Sequence, residues 1–343
     1  TFKIDEYKFK GQRDPELRLI FIGSYLNVPC VIDTVEREKE DFKILTADRG
    51  LLKLFAEFYG EEHTMKLPKL FESFGDFKSL LRDVVKSHKY KKQLLEVCRE
   101  LKPTKIIFYF LGWNGLSSWL IKKLSVTSDV YYRPKVNVDM LKANHSLRMF
   151  TKTIIASCIY GIRFKSASYY GYPIIAIDKS FLDRVNARKY DHEIDTDNVR
   201  KFVKRKYTEF NNTEILLLTS GFYNIDINTY MEKMCEVHSI ITNHYESNQI
   251  CIKNHPNFPN IEFNFTKSCV VAPAETPANI LCHTSKFVIG YGSATLYEAA
   301  DTGLTSISLV YIIPSTSPNQ AERVSAYLMD NSVSKDILFP KDL

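Results

Sequence analysis

Short apolar runs alternate with longer amphipathic ones along most of the chain. In the first half, residues 17–22, 42–46, 105–111, 130–132 and 173–177 are rich in Ile, Leu, Val and aromatics and read as strands. The run 105–111 is apolar throughout, as a strand covered on both faces would be. Residues 51–59, 77–100, 117–124 and 147–160 repeat their apolar positions every three to four residues and read as helices. A second series follows. It has strands at 214–219, 249–253, 269–272, 286–289 and 304–310, and helices at 229–243, 276–283, 294–300 and 320–329.

Strands that alternate with helices imply parallel sheets with both faces covered. The polar stretch 191–212, rich in charge and poor in strand formers, reads as a connector between the two series. The expected class is therefore α/β, with two Rossmann-like domains facing a cleft. We place an N-terminal domain at 1–190, a linker at 191–212, a C-terminal domain at 213–330 and a tail at 331–343. The length of 343 residues supports two cores over one.

Composition narrows the partners. The 46 basic and 40 acidic residues leave a net charge of +6. That mild excess suits anionic small molecules, an acidic polymer or an anionic membrane surface, and falls short of a dedicated nucleic-acid binder. Seven scattered cysteines without C-x-x-C spacing point to reduced thiols and a cytoplasmic setting. No run is long and apolar enough to span a bilayer. The basic segment 200–206, interleaved with Phe202, Val203 and Tyr207, reads as a solvated face or as a peripheral membrane contact.

The candidate chemistry lies at strand ends. Lys253-Asn254-His255-Pro256 closes the strand at 249–253, with Lys253 and His255 on one face by alternation. Pro256 biases His255 to an extended conformation and ends the strand. Gly290-Tyr291-Gly292-Ser293-Ala294-Thr295 joins the strand at 286–289 to the next helix. Such a turn is a helix cap and, in the same geometry, a phosphate site. Ligands of open α/β sheets bind at these carboxyl ends. Ser220-Gly221 ends the strand at 214–219 and reads as an ordinary turn or a weaker grip of the same kind. Glu275, just before a helix, reads as dipole compensation or as an acceptor for ribose hydroxyls.

In the first half, Gly23-Ser24 and Trp113-Asn114 follow strands and read as plain loops or as contacts to a sugar acceptor. Asp139 follows the strand at 130–132 and reads by default as a surface carboxylate. The Asp195-Thr196-Asp197 pair has no strand before it and reads as solvated charge, so no metal site is expected. Neither zinc spacing nor the G-x-S-x-G, P-loop and G-x-G-x-x-G signatures occur.

Taken in order and spacing, three motifs over 214–310 resemble the bacterial sialyltransferases and polysialyltransferases of the two-domain GT-B type, with the related Kdo transferases of capsule synthesis. These motifs are the His255-Pro256 pair, the acidic run Ala272-Pro273-Ala274-Glu275-Thr276-Pro277 and the turn Gly292-Ser293-Ala294-Thr295. The resemblance implies that His255, Ser293 and Thr295 hold the phosphate of CMP and that Glu275 binds the nucleoside. Lys253, Pro256, Gly292, Ser220 and Gly221 would complete the donor site. In that group the general base belongs to an acidic-acidic-Gly motif of the N-terminal domain. The motif is absent here, and Asp139 is the nearest substitute by position.

The implied activity is an inverting transfer of sialic acid or a related ulosonic acid from its CMP-activated donor. It needs no metal and no cofactor. The acceptor would be an acidic cell-surface glycan such as a capsular polysaccharide or lipooligosaccharide. Two alternatives stand beside it. One is a poly(alditol phosphate) transferase using CDP-glycerol or CDP-ribitol, which resembles the same pattern. The other is a non-catalytic nucleotide-sugar-binding protein. The implied setting is cytoplasmic, peripheral to the inner membrane.

Overall fold

The computed structural model describes residues 17–38, 40–68, 77–109, 115–133, 142–143, 145–169, 172–190, 193–221, 224–255 and 258–343. The chain divides into two compact units, one of residues 1–27 and 37–193, the other of residues 28–36 and 194–343.

From the N-terminus the described elements run β1 (Arg18–Ile22), α1 (Val28–Glu38), β2 (Phe42–Thr46), α2 (Arg49–Tyr59), β3 (Thr64–Lys66), α3 (Phe77–Leu101), β4 (Lys105–Tyr109), α4 (Gly115–Leu124) and β5 (Asp129–Tyr132). Then come β6 (Lys142–Ala143), α5 (Leu147–Tyr160), β7 (Phe164–Tyr169), β8 (Tyr172–Ile177), α6 (Lys179–Arg184) and β9 (Arg188–Lys189). The main sheet is parallel, in the order β3-β2-β1-β4-β5-β9. An antiparallel trio, β6-β7-β8, stands beside it.

The second series is α7 (Thr196–Lys206), β10 (Ile215–Leu218), α8 (Ile227–Thr242), β11 (Ile250–Lys253), β12 (Val270–Val271), α9 (Ala278–Leu281), β13 (Phe287–Gly290), α10 (Ala294–Ala300), β14 (Thr305–Ser308), α11 (Gln320–Asn331) and β15 (Ile337–Leu338). Its sheet is also parallel, in the order β12-β11-β10-β13-β14-β15. Both sheets thus have their first strand at the centre and reverse direction beside it, the doubly wound order of a Rossmann-like domain. Apolar strands fit this placement, since β1 and β10 are buried along their whole length.

The structure adds β3, β6, β7, α6 and β9 to the elements read from the sequence, and it departs from that reading at the linker, the tail and the first helix. The stretch expected as a linker contains α7, whose Val199, Phe202 and Val203 are buried in the C-terminal unit. Its cations occupy only the outer face, so 194–212 is part of a domain. The expected tail supplies β15, registered with β14 through Ser306–Ile337 and Ile307–Leu338. The sequence reading also passed over α1. Pro29 suggests a break, but in the first turn it removes no helical hydrogen bond. Asp33 of α1 accepts from Asn198 Nδ2 at 3.2 Å, and Glu36 pairs with Arg205 at 3.0 Å.

A buried charge network fastens the amino edge of the N-terminal sheet. Arg18, at the start of β1, is 0% exposed. It pairs with Glu38 at 2.7 Å and with Glu40 at 3.0 Å. Lys105, at the start of β4, donates to the same Glu38 at 3.0 Å. Tyr190 donates its hydroxyl to Glu38 and accepts from Arg37 Nη2 at 3.0 Å. Burial pushes the Glu38 carboxyl up, but the hydrogen bonds from Tyr190 and Lys105 and the Arg18 charge outweigh it and hold it below its ordinary value. Burial, with the carboxylate beside it, pushes the Tyr190 phenol up to about 12.

Candidate nucleotide site at the carboxyl edge of the C-terminal sheet

In the C-terminal sheet the direction of winding reverses between β10 and β13. The crevice outside the carboxyl ends at such a point is where open α/β sheets bind ligands. Three chain segments leave the sheet there. Thr219-Ser220-Gly221 follows β10, Asn254-His255 follows β11 on one side, and Tyr291-Gly292-Ser293 follows β13 on the other. Leu218 is registered with Lys253, and Gly290 packs on Leu218. His255 and Ser293 therefore leave the same edge from strands two spacings apart, roughly 10 Å.

Each segment is held by hydrogen bonds that the sequence does not announce. The His255 N–H donates to Thr219 Oγ1 at 2.8 Å, and the Thr219 N–H donates to the Lys253 carbonyl at 3.1 Å. Asn254, buried, donates from Nδ2 to the carbonyls of Pro259 at 2.9 Å and Ile261 at 3.1 Å. This fixes the loop that returns from His255. The Ser220 N–H donates to the hydroxyl of the buried Tyr230 at 2.9 Å. On the far side, Ser308 Oγ donates to the Tyr291 carbonyl at 2.7 Å. The sequence reading gave Thr219, Asn254 and Tyr230 no role of their own, although Thr219 is the first polar residue after the apolar run of β10.

Ser293 caps α10, its Oγ accepting from the Thr295 N–H at 3.3 Å. Gly292 and Ser293 are half-buried, whereas the side chain of Thr295 is packed inside. The open part of this turn is therefore Gly292-Ser293. The same helix carries Glu298, a buried carboxylate one turn on from Ala294 that the sequence reading did not single out.

His255 is half-buried. Burial first, and the Lys253 charge second, hold its imidazole below the ordinary value. The ring is thus neutral near pH 7. A bound phosphate would supply the missing negative charge and raise it again.

Lys253 has a different task from the one expected. It is 4% exposed, and its Nζ donates to the carbonyls of Pro273 at 3.0 Å and Ala274 at 2.9 Å. Burial brings its ammonium down to about 8, against the smaller opposing effects of Cys251 and Glu275. It clamps the turn that bears Glu275, which is itself exposed.

In the N-terminal unit, Gly23 and Ser24 end β1, beside the reversal between β1 and β4. Ser24 Oγ accepts from the Leu26 N–H at 3.3 Å, and Asn27 Nδ2 donates to the Tyr109 carbonyl at 3.5 Å. Trp113, Asn114, Asp139 and Pro256 lie outside the described residues.

Gly290 makes this edge sensitive to bulk. A Cβ there would stand 2.9 Å from Leu218 Cβ and 3.3 Å from the Leu218 carbonyl oxygen. Gly290→Ala should cost about 1–3 kcal/mol, because it pushes β13 from β10 under the candidate site. Denaturant unfolding checks this.

The site is distinct from a cavity of about 680 Å³ at the opposite, amino edge of the same sheet, lined among others by Lys204, Glu214, Gln249 and Lys286. Among the described residues, no group of three or more His, Cys, Asp or Glu could hold a metal ion. Nor does any described helix have the length and apolarity to cross a membrane.

No protein-family description and no curated protein matches the chain. Solved structures are similar to it over most of its length at low identity. An α/β-galactoside α-2,3-sialyltransferase of Photobacterium phosphoreum is 12% identical at a TM-score of 0.43, covering 94% of this chain and 98% of that one. A glycosyltransferase of kitacinnamycin is 11% identical at a TM-score of 0.41, covering 96% and 87%. The UDP-N-acetylglucosamine 2-epimerase of Rickettsia bellii is 12% identical at a TM-score of 0.34, covering 86% and 79%.

Proposed function

We propose that the protein is an inverting glycosyltransferase that moves sialic acid, or a related ulosonic acid, from its CMP-activated donor to a cell-surface glycan. The observation that carries this reading is the anchored His255 segment and the Ser293-capped turn leaving one sheet edge on either side of Thr219-Ser220-Gly221. A group bound there meets an imidazole on one flank and the Ser293-capped, positive end of α10 on the other, the two features a leaving nucleoside monophosphate needs. The choice of CMP over other nucleotides rests on the resemblance of the His255-Pro256 pair, the Glu275 segment and the Gly292-Ser293 turn to the sialyltransferase group.

In this mechanism His255 takes up a proton as the donor phosphate enters. It then stabilises the charge that develops on the departing phosphate and donates the proton as the glycosidic bond breaks. The Gly292-Ser293 turn, with the positive end of α10 behind it, faces the other phosphate oxygens. A carboxylate of the N-terminal domain, for which Asp139 is the candidate, removes the acceptor hydroxyl proton, and attack from the opposite face inverts the anomeric centre.

The test is thermal stabilisation by nucleotides. CMP at a hundredfold excess over its Kd should stabilise the protein by about 2.7 kcal/mol, with UDP and GDP far behind. Because phosphate raises a His255 pKa that starts below its ordinary value, binding takes up a proton. The CMP effect should therefore grow as pH falls from about 8 to about 6. Equal stabilisation by all three nucleotides, or an effect flat in pH, counts against the reading.

A further inference from the structure

Helix α5 buries one face and leaves a second apolar face uncovered. Met149, Thr153, Ala156 and Tyr160 point into the N-terminal core. Leu147 is 79% exposed, Phe150 57% and Ile154 47%. Their spacing of three and four residues sets them in one stripe, which the exposed Cys158 extends by a further turn. Single exposed apolar residues are ordinary, but three large ones in line on one helix mark an interaction surface.

Charge says what the surface meets. The helix contains no acidic residue, and it carries Arg148, exposed, and Lys152 one turn on. Just past its C-terminal end, Lys122 donates from Nζ to the Gly161 carbonyl at 2.7 Å, and Arg163 pairs with Asp178 at 3.7 Å while staying largely exposed. A second copy of this chain docking face to face would bring Arg148 and Lys152 against their own counterparts with no carboxylate on the helix opposite them. Anionic lipid headgroups complement Arg148 and Lys152, while the Leu147-Phe150-Ile154 stripe enters the acyl boundary. Helix α7, the segment whose composition suggested a membrane contact, cannot do this. Its Val199, Phe202 and Val203 are already buried, and its Arg205 is paired with Glu36.

We propose that the exposed face of α5 seats the protein on an anionic bilayer surface, with Leu147, Phe150 and Ile154 inserted and Arg148 and Lys152 at the headgroups.

The experiment sediments the full chain with vesicles of phosphatidylcholine alone and of phosphatidylcholine with phosphatidylglycerol. Wild type should bind the anionic vesicles at least about tenfold more tightly, and less so at high salt. Leu147→Ser/Phe150→Ser/Ile154→Ser should lose this binding, and Arg148→Glu should weaken it several-fold. Both variants should keep the wild-type melting temperature and CMP stabilisation, so that failure here is separate from failure of the transferase reading. The proposal is overturned if wild type ignores anionic vesicles or if the triple variant binds them as wild type does. A triple variant that changes the oligomeric state while vesicle binding stays intact also overturns it, since the face then belongs to a protein contact.

Discussion

His255→Ala should lower CMP release from CMP-sialic acid by about 10²–10⁴-fold while the protein stays folded and still binds CMP. The fold is spared because the anchor of this segment is the His255 backbone N–H on Thr219 Oγ1, which alanine retains. The Asn254 bonds to Pro259 and Ile261 also remain. What is lost is the imidazole alone, a group acting on the leaving phosphate and hence on kcat more than on KM. A rise in KM with kcat unchanged would make His255 a binding residue. Wild-type protein that binds CMP but releases none from the sugar nucleotide would favour a nucleotide-sugar-binding protein. The CDP-alditol alternative also yields CMP, so the mass of the elongated acceptor separates it.

The second large effect concerns stability. Glu38→Gln should destabilise the N-terminal unit by about 1–3 kcal/mol, because it takes the closest charge partner from the fully buried Arg18. Glu40 and the Glu40 carbonyl remain near the guanidinium, but Lys105 and Tyr190 lose the charge they share with it. The pH dependence carries a sign. The folded-state pKa of Glu38 lies below its unfolded value, so its contribution is present above the unfolded pKa of about 4.3 and fades as pH falls through the folded one. The gap between wild type and Glu38→Gln should therefore close in acid. Arg18→Met combined with Glu38→Leu should be less harmful than Glu38→Gln, since no unpaired charge stays inside. Urea unfolding at several pH values measures both, and a Gln variant as stable as wild type at pH 7 would show the network to be dispensable.

Much of the architecture could be read from the chain because parallel strands covered on both faces appear as unbroken apolar runs. The runs at β1, β4, β10, β11 and β13 needed no tertiary information, and the ends of β11 and β13 placed His255 and Ser293 on one sheet edge. The failures have physical causes. In α7 the apolar triplet Val199, Phe202 and Val203 has helical spacing, but five cations among Arg200, Lys201, Lys204, Arg205 and Lys206 hide it. β15 is two residues long and is a strand only because β14 offers it a ladder. α1 holds polar Asp33 and Thr34 inside, and Asp33 is satisfied by a residue 165 positions away. The role of Lys253 was hidden for a related reason. Its partners are backbone carbonyls at 273 and 274, which no side-chain pattern reveals.

That early helix has a consequence for biosynthesis. Residues 28–36 leave the ribosome long before the segment they pack with, since Asn198 and Arg205 follow roughly 160 residues later. At roughly 5–20 residues per second the nascent helix waits some ten to thirty seconds for its partner. During that interval Val28, Val31, Ile32 and Val35, all buried in the finished protein, have nothing of their own domain to rest on. The second domain therefore cannot close until its later strands and helices have also been made, however early its first helix emerges.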